Sequence, residues 1–339
     1  MVRLVDIAAR VGVSVMTVSK ALRDQPDVAV KTRQLIKATA QAMGYVPDSS
    51  AQSLRTRATK LFGVVIPSST NPVFFRLIYA LEERARESGY DILLCHTHDK
   101  TAREELCIRR LLARRVDGLF VAPVYRMEST GKIYEELSAS KTPTILLGSP
   151  AAFCQQFPCV QTDELPASQA VTRHLLELGH RRIAYFTGPL PALWAQERYE
   201  GFRRAHREAG LVVDDALIFH AGSTIEDGAK AALQLANEQC QATAIQAAND
   251  LVAIGCIETL QQQGLRVPQD LSVAGFGNGL LAKHFCVPLT TARQPKYRMG
   301  IVAVEMMLQL LQGKPVSNRR LPAELVLRAS TAAPPPPAK

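Results

Sequence analysis

The sequence predicts a small all-α helix-turn-helix headpiece at the N-terminus, followed by an α/β body of two lobes with parallel sheets. Over residues 1–60, apolar side chains recur at helical spacing between short turns. From Leu61 onward, apolar runs alternate with amphipathic stretches, a pattern typical of parallel sheets covered by helices on both faces. This second part is too long for one such sheet, so two lobes are expected.

Three helices are predicted in the headpiece. The first covers residues 4–11 and ends at Gly12, because the tight turn needs a residue that tolerates positive φ. Ser14 is the predicted N-cap of the second helix, and a third helix is predicted over residues 31–44. The side chains expected to face inward from the third helix are Leu35, Ile36, Thr39, Ala40 and Met43.

The start of the second helix is the predicted DNA-reading surface, because this part of a helix-turn-helix unit enters the major groove. Hydroxyl groups there can bond phosphates or base edges, a lysine adds positive charge, and apolar side chains can contact thymine methyls. For Met16, packing against a helix or facing solvent is the alternative, and groove contact is favoured. The predicted headpiece contacts with DNA are Leu4, Ser14, Val15, Met16, Thr17, Ser19 and Lys20.

A hinge follows the headpiece. Pro47 ends the third helix, and the segment 47–60 is expected to hold a short helix that exposes Leu54. A lone exposed leucine is ordinary, but beside a DNA-binding headpiece it can act as an apolar wedge between base steps in the minor groove. Ser53, Leu54 and Arg55 are therefore predicted DNA contacts.

The charge distribution indicates a nucleic-acid partner. The chain has a formal net charge of +9, and residues 1–60 carry ten Lys and Arg against four Asp and Glu, which is +6. The remaining residues carry 30 against 27, or +3, so the basic excess is in the headpiece. A solvated pair of basic helices with no DNA partner is the alternative.

Eight strands are predicted in the body, over residues 61–67, 90–97, 117–123, 142–148, 182–188, 216–222, 243–249 and 271–277. Ligands of open α/β sheets bind beyond the carboxyl ends of the strands, and in a two-lobed body these ends face a shared cleft. Polar, aromatic and glycine residues that follow the strands are therefore candidate effector contacts. They are Phe74, His96, Arg126, Trp194, Arg198, Asn249 and Gly277.

Several of these candidates also have a structural interpretation. Trp194 can be ordinary core packing and Arg198 an exposed helix arginine. Asp250, which follows Asn249, can either cap the helix at 251–264 or contact the ligand. His96 and His98 lie two apart at a strand end, but no third ligand is evident, so no metal site is predicted. No cofactor is predicted either.

The stretch "LSVAGFGNGLL" (271–281) has three glycines at alternate positions after a strand, which suggests a phosphate-binding loop. The third glycine of a dinucleotide fingerprint would fall at Leu280, and no acidic residue stands at about position 300 to hold a ribose. No G-x-x-x-x-G-K-S/T motif is present. The loop is therefore expected to close a ligand cleft, and an enzyme is not expected.

Membrane and secreted proteins are disfavoured. No apolar run approaches the ~18–20 residues that span a membrane, and the N-terminus lacks the cleavage site of a secretory signal. The seven cysteines are scattered without a C-x-x-C pair, so reduced thiols in a cytoplasmic protein are expected. A secreted solute-binding protein or a sugar-metabolising enzyme, each with the same α/β body, remains as the alternative.

Several stretches resemble the LacI/GalR-type (lactose-repressor/galactose-repressor) family of bacterial transcription factors. They include "LVDIAARVGVSVMTVSKAL", "MGYVPDSSAQSLRTRAT", "LELGHRRIAYFTGP" and "PLTTARQP", and they run in order from about residue 3 to residue 330. The resemblance implies a regulator, most often a repressor, with a periplasmic-binding-protein-like body. It also implies a homodimer, or a dimer of dimers, on a pseudo-palindromic operator, and a sugar or related metabolite as effector. By resemblance, Arg198 and Asn249 contact the effector and Trp194 lies in the cleft.

The expected domain boundaries are 1–46 for the helix-turn-helix domain, 47–60 for the hinge and 61–330 for the effector-binding and dimerisation domain. The two lobes of that domain are expected at about 61–160 plus 290–320, and at 161–289. The Pro-rich tail, 331–339, is expected to be disordered.

The chain departs from the family pattern where specificity is decided. Lys20 stands where Arg is usual, and lysine cannot reproduce the bidentate fork that arginine offers guanine, so the operator is expected to differ. Relatives commonly carry acidic residues where Gly148 and Gly277 stand. A cleft without these carboxylates that keeps Arg198 would tolerate negative charge, which favours a sugar acid, a sugar phosphate or a ligand held by Trp194.

Overall fold

The computed structural model describes residues 2–46, 58–69, 71–238 and 240–336. The chain divides into two compact units, Met1–Thr59 and Lys60–Lys339. The predicted DNA contacts Ser53, Leu54 and Arg55 lie outside the described residues. Among the residues described, no helix is long and apolar enough to cross a membrane.

The first unit contains the three predicted helices, α1 (Leu4–Val11), α2 (Val15–Ala21) and α3 (Val30–Ala42). Gly12 has a φ of 76°, in the left-handed region that the turn between α1 and α2 requires. Ile7, Val18 and Ile36 contribute one fully buried side chain from each helix, so a single small core holds the three together.

Leu35 corrects the predicted inner face of α3. It is 56% exposed, whereas Ile36 and Ala40 are buried. Residues four apart share one face of a helix, and Leu35 is turned about 100° away from that face. The core of the headpiece thus takes up the face of α3 that carries Ile36 and Ala40, and the face that carries Leu35 lies outside it.

The first lobe of the second unit has a six-stranded parallel sheet in the order β11-β5-β4-β3-β1-β2. Its elements are β1 (Leu61–Ile66), α4 (Pro72–Glu87), β2 (Asp91–His96), α5 (Thr101–Ala113), β3 (Gly118–Val121), α6 (Lys132–Ala139), β4 (Thr144–Leu147), β5 (Cys159–Asp163), α12 (Lys296–Leu311) and β11 (Arg319–Pro322). Apolar cores lie on both faces of this sheet.

The second lobe has a six-stranded sheet in the order β12-β10-β9-β8-β6-β7, in which β12 is antiparallel to β10 and the other pairs are parallel. Its elements are α7 (Glu164–Glu177), β6 (Ile183–Thr187), α8 (Leu193–Glu208), β7 (Ile218–His220), α9 (Ile225–Asn237), β8 (Ala244–Ala247), α10 (Asp250–Gln262), β9 (Ser272–Gly277), α11 (Leu280–His284), β10 (Thr290–Arg293) and β12 (Glu324–Val326). All eight predicted strands are present, and β5, β10, β11 and β12 are strands that the apolar pattern did not predict.

The chain crosses between the lobes three times: between β5 and α7, between β10 and α12, and between β11 and β12. The second crossing corrects a predicted boundary, because β10 (Thr290–Arg293) pairs with β9 in the second sheet rather than belonging to the first lobe. All three crossings lie at one edge of each sheet. That edge is formed by β11 and β5 in the first sheet and by β12 and β10 in the second.

The predicted disordered tail is wrong for its first residues. The Ala332 carbonyl oxygen is 2.8 Å from Nε2 of His180, and the Ala332 N–H donates to the Ser272 hydroxyl at 3.0 Å. The Thr331 hydroxyl lies 3.0 Å from Nε2 of His174. These bonds fix the chain against the second lobe before the proline run begins, because a polar backbone beside a strand needs partners.

Helices α9 and α10 approach each other so closely that glycine is required on both. A Cβ built at Gly255 would overlap the Ile225 carbonyl oxygen, and one built at Gly228 would overlap the Val252 carbonyl oxygen. Both obstacles are backbone atoms, which cannot rotate out of the way. The close packing of these helices therefore depends on the two glycines.

We expect Gly255→Ala to lower the free energy of unfolding by about 1–3 kcal/mol, because the added methyl forces the two helix backbones apart. Glu258→Ala, at an exposed position on the same helix, is the matched control and should change stability by less than about 0.5 kcal/mol. Urea unfolding followed by circular dichroism measures both. Equal stabilities of the two variants would contradict the predicted helix contact.

Candidate functional site

The exposed surface of α2 is the candidate DNA-binding surface. Val15 and Met16, on its first turn, are 42% and 64% exposed. The Ser14 hydroxyl accepts a hydrogen bond from the Thr17 N–H at 3.1 Å and lies 2.8 Å from the Thr17 hydroxyl. Apolar side chains beside hydroxyls are the combination that can contact thymine methyls and polar base edges together.

The other predicted headpiece contacts are less accessible. Lys20 forms an ion pair with Asp27 within the headpiece. Ser19 is half-buried, and its carbonyl oxygen accepts a hydrogen bond from Arg23 Nε at 2.8 Å. Leu4 packs against the headpiece core. The accessible part of the predicted surface is thus centred on the first turn of α2.

Arg198 of α8 lies at the junction between the lobes and is 5% exposed. Its Nε donates to Glu164 Oε2 at 2.8 Å, and its Nη1 donates to the Ala248 carbonyl oxygen at 2.5 Å. The guanidinium also lies over the Phe276 ring, 3.7 Å from its centroid. Within the described part of the chain, Nη2 of Arg198 has no hydrogen-bond partner. The exposed-arginine alternative is therefore wrong, and Nη2 is the donor left for a ligand.

Glu164 connects this arginine to two of the crossing segments. It begins α7 directly after the first crossing, and its Oε1 accepts a hydrogen bond at 3.2 Å from Nε2 of Gln294, in the second crossing. Gln294 also donates to the Thr162 hydroxyl at 3.3 Å. Burial raises the pKa of Glu164, and the Arg198 charge acts in the opposite direction. The ion pair thus lies directly beside two of the crossings between the lobes.

Trp194 packs beside Arg198. The guanidinium carbon lies 4.5 Å from the Trp194 ring centroid, a cation–π arrangement. A Cβ at Gly188 would lie 2.8 Å from the ring, so the indole also covers the end of β6. The residue is half-buried. Its packing role is established by these contacts, and the rest of the indole remains accessible.

Asn249 and Asp250 both bond within the second lobe, and Asn249 rather than Asp250 caps α10. Asn249 caps α10, because its Oδ1 accepts a hydrogen bond from the Val252 N–H at 2.9 Å, and its Nδ2 donates to the Ser223 carbonyl oxygen at 3.1 Å. Asp250 is buried, and its carboxylate accepts hydrogen bonds from the Thr291 hydroxyl at 2.5 Å and the Gly279 N–H at 2.8 Å. The Asn249 side chain is thus already engaged within the second lobe.

The loop formed by Gly277, Asn278 and Gly279 is held from both lobes. Lys296, the first residue of α12, donates from Nζ to the carbonyl oxygens of Gly277 at 2.6 Å and Asn278 at 3.0 Å. A Cβ at Gly279 would lie 3.2 Å from Cβ of Pro72, which begins α4 in the first lobe. The loop therefore closes one end of the cleft between the lobes, and the Gly277 carbonyl has its partner in Lys296.

Arg126 is part of a buried cluster in the first lobe rather than a free cleft residue. Its Nη1 lies 3.4 Å from Glu104 Oε2, and its guanidinium lies 4.2 Å from the Phe153 ring centroid. Glu104 Oε1 accepts hydrogen bonds from the Val124 N–H at 2.7 Å and the Tyr134 hydroxyl at 2.8 Å. Burial raises the pKa of Glu104. This ion pair anchors the loop after β3.

Phe74 and His96 are not brought to the Arg198 cluster. Phe74 packs against the core of the first lobe. His96 ends β2, at the opposite edge of the first sheet from β5, which is four strand spacings or roughly 19 Å away. Its ring centroid lies 6.3 Å from that of His98, and the described residues contain no group of three or more potential metal ligands.

The expected surplus of positive charge in the cleft is therefore a wrong premise. Arg198 is paired with Glu164, Arg126 with Glu104, and Lys296 lies near the Asp250 carboxylate. Lys283 and His98 are exposed. The carboxylates of Glu104, Glu164 and Asp250 thus balance these cations, which removes one reason to expect an acidic or phosphorylated effector.

A cavity of about 540 Å³ is lined by residues of both lobes. Ser149, Gln161, Asn318 and Arg320 line it from the first lobe, and Leu193 and Glu197 line it from the second. Trp194 and Arg198 follow the two lining residues Leu193 and Glu197 on α8. Their side chains therefore lie about 100° further round the helix axis than those that line the cavity. None of the residues that line this cavity is among the predicted effector contacts.

Comparison with known proteins agrees with this architecture. Residues 3–48 match the family described as "Bacterial regulatory proteins, lacI family", and residues 172–331 match a "Periplasmic binding protein-like domain". Over 336 residues the chain is 32% identical to the HTH-type transcriptional repressor PurR of Photobacterium profundum, covering 97% of this chain and 98% of the relative. The chain belongs to the lacI family.

Solved structures of lacI-family regulators share the fold. The lac repressor dimer bound to operator and the anti-inducer ONPF matches with a TM-score of 0.87 at 28% identity, over 98% of this chain and 99% of that one. The transcriptional regulator CelR–cellobiose complex matches with a TM-score of 0.74 at 26% identity, over 97% and 100%. The predicted family, the fold class and the role as a DNA-binding transcriptional regulator are confirmed.

The sequence analysis of this lacI-family protein missed Glu164, Gln294 and Lys296. All three follow strands that were not recognised or lie just beyond them: Glu164 follows β5, and Gln294 and Lys296 follow β10. The rule of looking beyond strand ends would have found them had these short strands been recognised.

We expect Arg198→Met to destabilise the protein by about 3–5 kcal/mol, because it leaves the Glu164 carboxylate buried without its charged partner. The double variant Glu164→Leu with Arg198→Met should recover most of that loss. Arg173→Met, which breaks an exposed pair with Glu208, is the control and should leave the unfolding midpoint nearly unchanged. Equal losses in the single and double variants would contradict the assigned pair.

A second prediction concerns Lys296, whose pKa is lowered to about 8 by burial. Above that pH the folded chain releases this proton while the unfolded chain, with a lysine pKa of ~10.4, retains it, so the contribution of Lys296 to stability rises with pH. The stability difference between wild type and Lys296→Met should shift in favour of wild type by roughly 3 kcal/mol between pH 8 and 10.5. Urea unfolding across this range measures it, and a constant difference would contradict the buried charge.

Proposed function

We propose that this regulator is a repressor that binds a pseudo-palindromic operator as a homodimer. Its affinity for the operator would rise or fall when a small carbohydrate-type effector occupies the interlobe site. The observation that carries the proposal is the combination of an exposed α2 surface on a separate headpiece with a polar, largely buried junction between two lobes. We expect it to act in the cytoplasm, where its DNA is, and to have no catalytic role.

The effector would act by favouring one arrangement of the lobes. A ligand changes an equilibrium only to the extent that it binds one state better than the other. Lys296 bonds from the first lobe to a loop of the second, and Gln294 bonds from the second crossing to Glu164, the partner of Arg198. A ligand that contacts Arg198 Nη2 therefore bears directly on that arrangement. Operator affinity and effector affinity would then be linked reciprocally.

The charge balance at the junction favours an uncharged or donor-rich effector over an anion. Each cation described at the interlobe site has a carboxylate partner or neighbour. The accessible part of Trp194 offers an aromatic surface for the apolar side of a sugar ring. The CelR relative was solved with cellobiose, a neutral sugar, which supports the same choice.

For DNA recognition, we expect Met16→Ala to weaken specific operator binding by about tenfold, because it removes an apolar contact with a base edge. Leu35→Ala is the matched control: Leu35 is also an exposed apolar residue of the headpiece, on α3, and its removal should leave affinity unchanged. Fluorescence anisotropy at fixed salt, with an operator selected from random DNA by the wild-type protein, measures both.

Further variants test the hinge and the charge. Leu54→Ala should weaken binding to the selected operator while effector affinity stays the same, and wild-type affinity should fall steeply with added salt. Equal affinities for Met16→Ala, Leu35→Ala and wild type would argue against α2 as the reading surface. Failure to select any preferred DNA sequence would overturn the proposed function.

A further inference from the structure

Two residues that line the interlobe cavity, Gln161 and Glu197, each have a buried polar atom without a hydrogen-bond partner among the described residues. Oε1 of Gln161, a residue that is 5% exposed, has no hydrogen-bond partner among the described residues. Oε2 of Glu197 is likewise buried and unpartnered there. Both residues line the cavity, one from each lobe. A buried polar atom without a partner is costly, so the pair indicates a bound group that completes them.

Glu197 decides the polarity of that group. A glutamine side chain can offer either a donor or an acceptor, but a carboxylate only accepts hydrogen bonds. Oε1 of Glu197 already receives a hydrogen bond from Arg320 Nη2 at 2.6 Å, and Arg320 Nη1 is directed to Asp163 Oδ1 at 3.2 Å. Both terminal nitrogens of Arg320 are thus engaged, and Glu197 Oε2 remains for an outside donor.

The local charge favours a cationic donor over a neutral one. Three carboxylates, Asp163, Glu164 and Glu197, share this junction with two guanidinium groups, those of Arg198 and Arg320, which leaves a formal charge of −1. The negative charge of Glu197 also contributes to raising the pKa of Glu164, after the larger effect of burial. A positively charged ligand group would relieve this excess, whereas an anion would increase it.

From these contacts we infer that the cavity binds an amino sugar, with its ammonium group on Glu197 Oε2 and a ring hydroxyl on Gln161. The volume of about 540 Å³ accommodates a monosaccharide, and Leu193 supplies an apolar wall. Asn318 adds polar capacity at the solvent side, since its Oδ1 is engaged by the Cys159 N–H at 3.1 Å and its amide nitrogen remains as a donor. The inference rests on the proposed function in that this ligand is the effector.

The test uses the full-length protein and isothermal titration calorimetry at pH 7. The probes are the 2-amino-2-deoxy forms of glucose, galactose and mannose, each with its parent hexose, its N-acetyl derivative and its 6-phosphate. At least one amino sugar should bind at least about tenfold more tightly than its parent and its N-acetyl form, which lack the ammonium charge. Tighter binding of every parent, N-acetyl or phosphate form, or no binding of any amino sugar, would overturn the inference.

Variants assign the binding to the cavity. Glu197→Gln keeps the shape and removes the charge, so the preference for the amino sugar over its parent hexose should fall by about tenfold or more. Gln161→Leu should weaken the binding of the amino sugar and of its parent hexose by similar factors. Glu200→Gln is the matched control, because Glu200 lies on the same helix and pairs with surface arginines, and it should change neither. An unchanged preference in Glu197→Gln would also overturn the inference.

Operator binding without sugar separates the two failures. A variant that binds the selected operator with wild-type affinity is folded, so loss of its sugar preference reports the site and not the fold. If wild type selects an operator but no amino sugar binds, the inference fails and the proposed regulator stands. If no operator is selected, the proposed function itself fails.

Discussion

A buried ion pair, Arg198–Glu164, joins α7 and α8 of the second lobe directly beside two of the three chain crossings. Arg198 and Glu164 are each largely removed from water, which is unfavourable for either alone and tolerable only because they face each other and share further partners. Gln294, the Ala248 carbonyl and the Phe276 ring supply those partners. The pair also explains why the cleft has so little free positive charge. Arg198, which the sequence predicts as an effector contact, is mostly engaged within the protein, since its Nε and Nη1 bond to Glu164 and the Ala248 carbonyl oxygen.

The sequence was sufficient for the general architecture because that depends on repeated local patterns. The turn at Gly12, the cap at Ser14 and eight apolar strand runs each carry a local signal, and all are present. The missed strands are short or interrupted by polar residues: β5 ends in Gln161, Thr162 and Asp163, whose side chains serve the junction rather than a core. Partners such as Glu164, 34 positions before Arg198, cannot be found by local pattern, because the fold alone brings them together.

The errors at single residues have a common physical origin. The sequence leaves the cap of α10 open, since either Asn249 or Asp250 can cap a helix and only the backbone conformation decides which one does. Leu35 was placed inward because apolar residues usually are, but a three-helix core is too small to bury every apolar side chain. The prolines predict a disordered tail, whereas Thr331 and Ala332, just before them, have hydrogen-bond partners beside α7 and β9.

The three chain crossings have a mechanical consequence. They all leave from the same side of the two sheets, which makes that side a spine, and the opposite edges, β2 and β7, carry no covalent link between the lobes. In any rigid rotation about the spine, an atom moves in proportion to its distance from it. Arg198, Glu164 and Gln294 are close to the pivot and would travel little, whereas the end of β2 at His96 would travel furthest. A small movement caused by a ligand bound near the spine would therefore produce a larger displacement at the far edge of the lobes.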